Sequence, residues 1–289
     1  RLGKIENPQV RLFESGELPV VAARTTLRVA STNGGVGFRK RQSHDVVHVT
    51  HCLVAHPSLN ELLADVRLDG AEEAVLRIGV ASGERMVWAE PQDSVSGITA
   101  DILTSRNSSV HELIDQHEFV VSAESFFQSS PQAAQALVDA TKRALGESST
   151  WGEGPVVDAY CGVGLFAATA FPRDRHVIAI EANPSACADA RINLAERDVE
   201  VVQSPVEEWS PQPAAVVVAD PARDGLRAGG VDVLTATNAQ VIVLISCDPA
   251  SLGRDARLLI AKGYRLEYSE VLDLFPHTHH VEVVSRFVR

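Results

Sequence analysis

The second half of the chain alternates short apolar runs with longer segments of mixed polarity. The apolar runs are rich in β-branched residues, which is typical of buried strands. They predict strands at residues 156–160, 176–180, 199–203, 214–219, 241–245, 264–272 and 281–288. Helical spacing fits between most of these strands, so the pattern predicts a doubly wound α/β sheet. Only the loop 273–280 separates the last two strands, which favours antiparallel neighbours and a reversed last strand.

The first part of the chain has a different pattern. Strand-like runs at residues 26–30, 36–40 and 46–50 surround an Asn33-Gly34 pair, which is a strong hairpin signal. Residues 57–67 predict a short helix, and residues 74–80 and 85–89 predict two further strands. Residues 1–22 show no clear periodicity, and residues 97–109 are polar and irregular. We therefore expect a small α+β domain over residues 1–105 and the α/β domain over residues 106–289.

Composition and charge limit the functional classes. The 289 residues are 45% hydrophobic and carry a net charge of −12, which argues against a general polyanion binder. Arg39, Lys40 and Arg41 form the densest basic cluster, either as a solvated edge strand or as a phosphate contact. No apolar run approaches the ~18 residues of a membrane span, so no membrane partner is expected. The chain begins at Arg1 rather than Met, which leaves open a preceding N-terminal segment.

The four cysteines lie far apart, at positions 52, 161, 187 and 247, without a CxxC pair. This spacing does not predict a disulfide framework, and it favours a reducing, cytoplasmic location. Cys161 and Cys187 fit as small buried side chains.

Cys247 ends the predicted strand 241–245, just before a helix whose N-cap would be Asp248 and whose first position would be Pro249. Ligands of open α/β sheets bind at the carboxyl ends of the strands. A helix N-terminus also favours a thiolate, which is a better nucleophile than a thiol. Location alone fits a nucleophile and a small buried side chain about equally.

Further polar residues come at the same edge. Gly162 and Gly164 follow the strand 156–160 and allow close backbone approach to a ligand. Glu181 ends the next strand, where a carboxylate accepts hydrogen bonds from ribose hydroxyls. Asp220 ends the strand 214–219. The spacing Gly162-x-Gly164-x-x-Ala167 also satisfies the dinucleotide fingerprint, so a nicotinamide-dependent oxidoreductase stays open at this point.

The last informative stretch lies at the end of the chain. Glu282 begins an apolar final strand, where a carboxylate needs a partner or a function. His277, His279 and His280 precede it, but no Cys or carboxylate set at ligand spacing accompanies them, so no metal is expected.

Several of these stretches together resemble the RNA uridine-C5 methyltransferase family, whose members make 5-methyluridine. The resemblance covers residues from about 23 to 289. Its motifs occur in order as Ser125-Phe-Phe-Gln128, Asp158-x-Tyr160-Cys-Gly-x-Gly164, Asp220-Pro-x-Arg223-x-Gly225, Ser246-Cys247-x-Pro249, Arg254-Asp255 and Phe275-Pro-His-Thr-x-His-Val-Glu282. It implies a Rossmann-like class I methyltransferase sheet.

The resemblance also implies a cofactor and roles. The cofactor is S-adenosylmethionine, lined by Gln128, Tyr160, Glu181 and Asp220. Cys247 would be the nucleophile that adds to C6 of the uracil, and Glu282 the base that removes the C5 proton. The implied substrate is a uridine in structured RNA. Ribosomal RNA is favoured over transfer RNA because Cys52 aligns with a cysteine of the family branch that carries an iron–sulfur cluster.

The chain also departs from the family pattern. Cluster-bearing members add three upstream cysteines to the one aligned with Cys52, and four thiolates are the usual requirement. We therefore expect no iron–sulfur cluster in this chain. Asp248 replaces the usual Asn, and its charge would oppose thiolate formation at Cys247. The alternatives are a methyltransferase of a small molecule or protein, the oxidoreductase, and a non-catalytic RNA-binding relative.

Overall fold

The structure is a computed structural model that describes residues 5–13, 18–33 and 35–289. Its strands are β1 (Val10–Leu12), β2 (Thr26–Thr32), β3 (Gly35–Arg39), β4 (Val46–His48), β5 (Arg67–Leu68), β6 (Glu73–Ile78), β7 (Arg85–Ala89), β8 (Val95–Ser96), β9 (Ser109–Ile114), β10 (His117–Ser122), β11 (Val156–Ala159), β12 (Val177–Glu181), β13 (Val199–Gln203), β14 (Val216–Ala219), β15 (Val241–Ser246), β16 (Arg265–Leu272) and β17 (Glu282–Val288). Its helices are α1 (Pro57–Asp65), α2 (Pro131–Leu145), α3 (Leu165–Thr169), α4 (Pro184–Asn193), α5 (Arg227–Ala236) and α6 (Pro249–Ala261).

The chain divides into two compact units. One comprises residues 19–134, and the other comprises residues 135–289 with the described part of residues 1–18. The division differs from the predicted position near residue 105. The hairpin of β9 and β10 belongs to the first unit because side chains tie it there: Glu112 accepts from the Val80 amide at 3.1 Å, and Glu84 accepts from the His111 amide at 2.8 Å.

The larger unit confirms the predicted α/β class. Among the described residues its sheet has the strand order β1-β16-β17-β15-β14-β11-β12-β13. The strands are parallel except β17, which runs antiparallel to both β15 and β16. The predicted reversed last strand is therefore present, and it is inserted between two parallel strands.

Burial explains why the central strands read as continuous apolar runs. Every residue of β11, β14 and β15 is buried, as expected where helices cover both faces of a parallel sheet. Strand β1 was missed because it carries no such signal. Val10 and Leu12 are 58% and 77% exposed, and β1 is held by parallel pairing to β16.

The smaller unit is built on an antiparallel sheet of described strands in the order β4-β3-β2-β6-β7. Strands β2 and β3 pair as the Asn33-Gly34 signal predicts, although Gly34 itself lies outside the described residues. Helix α1 buries Leu59, Leu62 and Leu63 in the same apolar core. The unit is thus the predicted α+β type.

The basic cluster of this unit is largely neutralised by its neighbours. Arg39 pairs with Glu73 at 2.9 Å, and Lys40 pairs with Asp45 at 3.3 Å. Such exposed pairs contribute little stability, but they occupy the charges that a phosphate contact would need. The edge-strand interpretation is wrong, because β3, which ends at Arg39, lies between β4 and β2. In the described part of the chain, no helix combines the length and apolar character needed to cross a bilayer.

Candidate active site

Cys247 and Glu282 come together through the register of two neighbouring strands. Ser246, the last residue of β15, pairs with Val283 of β17. Continuing that antiparallel register by one residue places Cys247 opposite Glu282. Directly opposed residues of an antiparallel pair have Cα atoms about 4.5–5.5 Å apart. A thiol and a carboxyl group that are 35 residues apart in the chain therefore lie side by side at the carboxyl edge of the sheet.

The Cys247 thiol lies at the start of α6. Asp248 caps this helix by accepting from the Ser251 amide at 2.7 Å, and Pro249 occupies the first turn, both as predicted. The expected thiolate is not favoured in the protein alone. Burial of the half-exposed thiol, together with the charges of Glu282 and Asp220, raises the Cys247 pKa, and the Arg223 guanidinium only partly offsets this. The carboxylates of Glu282 and Asp220, rather than that of Asp248, supply the charge that opposes a thiolate at Cys247.

The pKa values of Glu282 and Asp220 are both raised, which favours their neutral forms. Glu282 is 5% exposed, and burial followed by the charge of Asp220 raises its pKa. Part of Asp220 reaches the surface, but the atoms packed around its carboxyl also raise its pKa. Asp220 comes directly after β14, the neighbour of β15 in the sheet. The edge therefore presents two weak acids beside one thiol.

A third carboxyl group, Asp158, lies beneath the glycine-containing loop. It is fully buried in β11, and its Oδ2 accepts from the Ala167 amide at 2.7 Å. Its Oδ1 has no hydrogen-bond partner among the described residues. Burial raises the pKa of Asp158 to about 8. An orphaned buried acid of this kind calls for a polar or cationic ligand nearby.

The loop between β11 and α3 leaves room for such a ligand. Gly162 and Gly164 have φ angles of +55° and +91°, which side chains rarely adopt. A Cβ at Gly162 would meet no described atom within 4 Å, whereas one at Gly164 would approach Leu194 to 3.0 Å. Gly162 therefore faces open space, and Gly164 is required for packing.

Glu181 fixes the shape of that loop. One carboxylate oxygen accepts from the Gly162 amide at 3.0 Å and the other accepts from the Asn183 amide at 2.7 Å. Each oxygen retains a further lone pair, so the half-buried carboxylate can still accept from two ligand hydroxyls. The predicted ribose position at the end of β12 fits this geometry.

Tyr160 has a partner that the sequence did not reveal. Its backbone adopts φ +61°, and its hydroxyl donates to Glu207 Oε1 at 2.8 Å. Burial and this carboxylate raise the Tyr160 pKa, so the phenol stays neutral. Glu207 follows Tyr160 by 47 residues, and no local spacing connects the two.

Gln128 belongs to the other compact unit, that of residues 19–134. It is half-buried and follows Phe127, whose ring packs 6.0 Å from that of Phe119. Its predicted place in a cofactor site stays a prediction. The Phe126 side chain before it is 72% exposed.

Arg223 lies three residues after Asp220, beside an ion pair of its neighbours. Asp224 pairs with Arg227 at i,i+3 spacing. Arg223 is exposed, and its charge acts on the Cys247 sulfur as described above.

The histidines near Glu282 stack on one another. His279 and His280 have ring centroids 4.2 Å apart, and Phe275 meets His280 edge-on at 6.2 Å. Within the described residues, no group of three or more potential metal ligands comes together.

This arrangement is suited to nucleophilic addition followed by proton removal. A thiol and a carboxyl group converge at one edge. Glu181 and Asp220 lie at the ends of two further strands, and Asp158 lies buried in β11 between them. Carboxyl groups in this arrangement favour a ligand that carries positive charge and hydroxyl groups.

Comparisons with known proteins give consistent relatives, although no family model matches the chain. The chain is 31% identical to an RNA methyltransferase of Streptomyces avermitilis over 94% of its own length and 68% of the relative. It is 30% identical to the 23S rRNA (uracil-1939, C5)-methyltransferase of Vibrio cholerae, over 88% of this chain and 65% of that protein.

A solved structure also matches. The tRNA (uracil-54, C5)-methyltransferase of Pyrococcus abyssi, in complex with S-adenosyl-L-homocysteine, superposes with a TM-score of 0.76 at 24% identity. The match covers 97% of this chain and 79% of that one, and it supports the same fold.

Alkylation of Cys247 with iodoacetamide tests the electrostatics of this edge. Because its pKa is raised above 9.0, we expect the alkylation rate to keep rising with pH beyond that value. Removing one opposing charge with Glu282→Gln should shift the midpoint down by roughly half a unit or more. Peptide mass spectrometry follows the reaction, with the half-exposed Cys52 in the same sample as reference. An unchanged midpoint would show that the charge of Glu282 does not raise the pKa of the Cys247 thiol.

Proposed function

Because the chain belongs to the S-adenosylmethionine-dependent RNA uridine-C5 methyltransferase family, we propose that it transfers a methyl group to C5 of a uridine in structured RNA. The observation that carries this proposal is the continuous register between β15 and β17, which sets Cys247 opposite Glu282. A methyltransferase of small molecules or proteins has no need for a thiol and a carboxyl group at this spacing.

The cofactor would be held at the strand ends beside these two residues. Glu181 would accept from the ribose hydroxyls, and Tyr160 and Asp220 would line the same cofactor site. The orphaned Asp158 oxygen and the open space above Gly162 fit a polar, positively charged ligand. When bound, S-adenosylmethionine supplies an electrophilic methyl group and two positive charges.

Cys247 and Glu282 would perform different steps of the reaction. Uracil C5 is a poor nucleophile, but addition of the Cys247 sulfur to C6 turns C4–C5 into an enolate that accepts the methyl group at C5. Glu282 then removes the C5 proton, and the electron pair left at C5 expels the Cys247 sulfur. The raised pKa of Glu282 makes its carboxylate a stronger base for that step. The uracil must leave its stack to be reached from both faces.

Ribosomal RNA is the substrate class that we favour. The support is the similarity to the 23S rRNA enzyme of Vibrio cholerae and the alignment of Cys52 with the cluster-bearing branch. The chain spans about two thirds of the length of these relatives. Competition between a 23S rRNA fragment and a transfer RNA tests this preference.

The oxidoreductase alternative fits the sheet poorly. Pure dinucleotide-binding sheets are parallel, whereas β17 runs antiparallel between β15 and β16. The dinucleotide-like spacing of Gly162 and Gly164 reflects the shared need for close backbone approach to a nucleoside.

RNA that contains 5-fluorouridine should trap the protein. Fluorine cannot leave as a proton, so we expect a covalent RNA–protein adduct that forms only with S-adenosylmethionine present and survives denaturing electrophoresis. Cys247→Ala should abolish it, while Cys187→Ala, which changes a buried thiol on α4, serves as the matched control. The absence of an adduct, or its persistence in Cys247→Ala, would refute the nucleophile.

Glu282→Gln should separate methyl transfer from product release. Without the base, methylated RNA stays attached to Cys247, so an adduct should accumulate on ordinary RNA while turnover falls by roughly 100-fold or more. Quench-flow measurement of bound and released methylated RNA checks this outcome. If the variant releases product at the wild-type rate, another group is the base.

Binding of S-adenosylmethionine should release protons. Burial raises the pKa values of Asp158, Asp220 and Glu282, so that each carboxyl group is at least partly protonated at neutral pH, and a nearby cation favours the ionised forms. Affinity should therefore rise with pH between about 6 and 9. Titration calorimetry in buffers of different ionisation enthalpy measures the protons released. S-adenosylhomocysteine, which lacks the sulfonium charge, should release fewer; equal heats in all buffers would contradict the linkage.

A further inference from the structure

The start of α5 depends on a side chain from another helix. Its N-cap, Leu226, offers no side-chain hydrogen bond. Instead Asp255 of α6 accepts from the Leu226 amide at 2.7 Å and from the Arg227 amide at 3.2 Å. Asp255 is only 1% exposed. A buried carboxylate that caps a neighbouring helix fixes the two helices to each other.

Arg254 extends this contact to the preceding segment. Its Nε donates to Asp255 Oδ1 at 2.9 Å, and its terminal nitrogen donates to the Asp224 carbonyl. Between them lies Gly225, with φ +68°. A Cβ there would approach Asp255 Oδ2 to 2.2 Å and the Arg254 terminal nitrogen to 2.7 Å. The segment from residue 221 to 227 is therefore held directly against α6.

The segment and helix α6 each follow a residue of the candidate active site. The segment begins immediately after Asp220 and contains Arg223, whereas α6 begins at Pro249, two residues after Cys247. We propose that the Arg254–Asp255 pair is a positioning element of this active site, which holds the segment so that Arg223 faces the Cys247 sulfur. This inference rests on the proposed function and adds residues that do not touch the reacting atoms.

Electrostatics give this contact a consequence beyond stability. The groups that act on the thiol are Glu282 at the start of β17, and Asp220 and Arg223 after β14. Both carboxylates raise the Cys247 pKa, and Arg223 lowers it. If the segment moves away, the opposing carboxylate of Glu282 stays in place on its own strand. Loss of the contact should therefore make the thiol a weaker acid and a slower nucleophile at neutral pH.

The test measures the pH profile of Cys247 alkylation in Asp255→Asn. We expect the midpoint to rise by roughly half a unit, a threefold lower rate below the midpoint. Arg223→Gln should give a similar shift, and combining the two should add little, because both act through one guanidinium. Glu267→Gln is the matched control, since it breaks the 2.6 Å ion pair with Arg286 in the same unit but in the first half of β16.

A milder variant keeps the test decisive if Asp255→Asn does not fold. Arg254→Gln removes the bond to the Asp224 carbonyl, and the Arg254 side chain is already 37% exposed. It should shift the midpoint in the same direction by a smaller amount. Folded variants with the wild-type profile, or a shift of equal size in Glu267→Gln, would overturn the positioning role.

The outcome is separable from that of the proposed function. Failure of the wild-type protein to trap 5-fluorouridine RNA would refute the methyltransferase proposal and leave the alkylation result intact. A wild-type alkylation profile in the folded Asp255→Asn and Arg254→Gln variants, beside a normal wild-type adduct, would refute only the positioning role.

Discussion

The catalytic edge depends on one strand that runs against its neighbours. Strand β17 lies between β15 and β16 and is antiparallel to both. Parallel neighbours present their carboxyl ends at the same edge, so in a parallel sheet the first residue of a strand never lies there. Reversal of β17 brings its first residue, Glu282, to the edge where Cys247 follows β15. The inserted strand therefore supplies an acid that a purely parallel sheet would place on the opposite side.

Placing so many acids at one edge has an electrostatic cost. Asp158, Asp220 and Glu282 are all buried enough to have raised pKa values. The charges of Glu282 and Asp220, when these groups ionise, in turn oppose a thiolate at Cys247. The protein alone therefore holds its nucleophile and its base in their protonated forms. A ligand with positive charge removes that conflict, since it favours ionised carboxylates. The acidity of the site suits a sulfonium cofactor, while the overall charge of −12 does not by itself suit RNA.

The loops of this edge share a common device, which is a carboxylate that accepts backbone amide hydrogens. Glu181 holds the loop after β11, Asp158 holds the start of α3, Asp248 caps α6, and Asp255 caps α5. Each satisfies amides that a helix or turn leaves without partners. These acids order the loops on which ligand-contacting residues lie. Substitution of one is therefore expected to affect the site at a distance from the reacting atoms.

The local sequence was sufficient for the elements and for most of the edge. Apolar β-branched runs identify the buried strands, and Asp248-Pro249 marks a helix start that the structure confirms. Because parallel strands end at one edge, the sequence alone predicts that Asp220 and Cys247 lie at the same edge of the sheet. The apolar pattern does not predict the exposed strand β1, because hydrogen-bonded pairing to β16, rather than burial, holds it in place.

Local sequence patterns do not predict contacts between residues that are far apart in the chain. The pairing of Tyr160 with Glu207 and the capping of α5 by Asp255 join residues 47 and 29 positions apart. The ionisation of Cys247 was misjudged for the same reason: the helix N-terminus that favours a thiolate is visible in the sequence, whereas the opposing carboxylates arrive from other strands. The sequence thus determined the strands, the helix starts and the residue types at their ends. Tertiary packing set the pKa values and partners of those residues, because burial and charge proximity are properties of the assembled sheet.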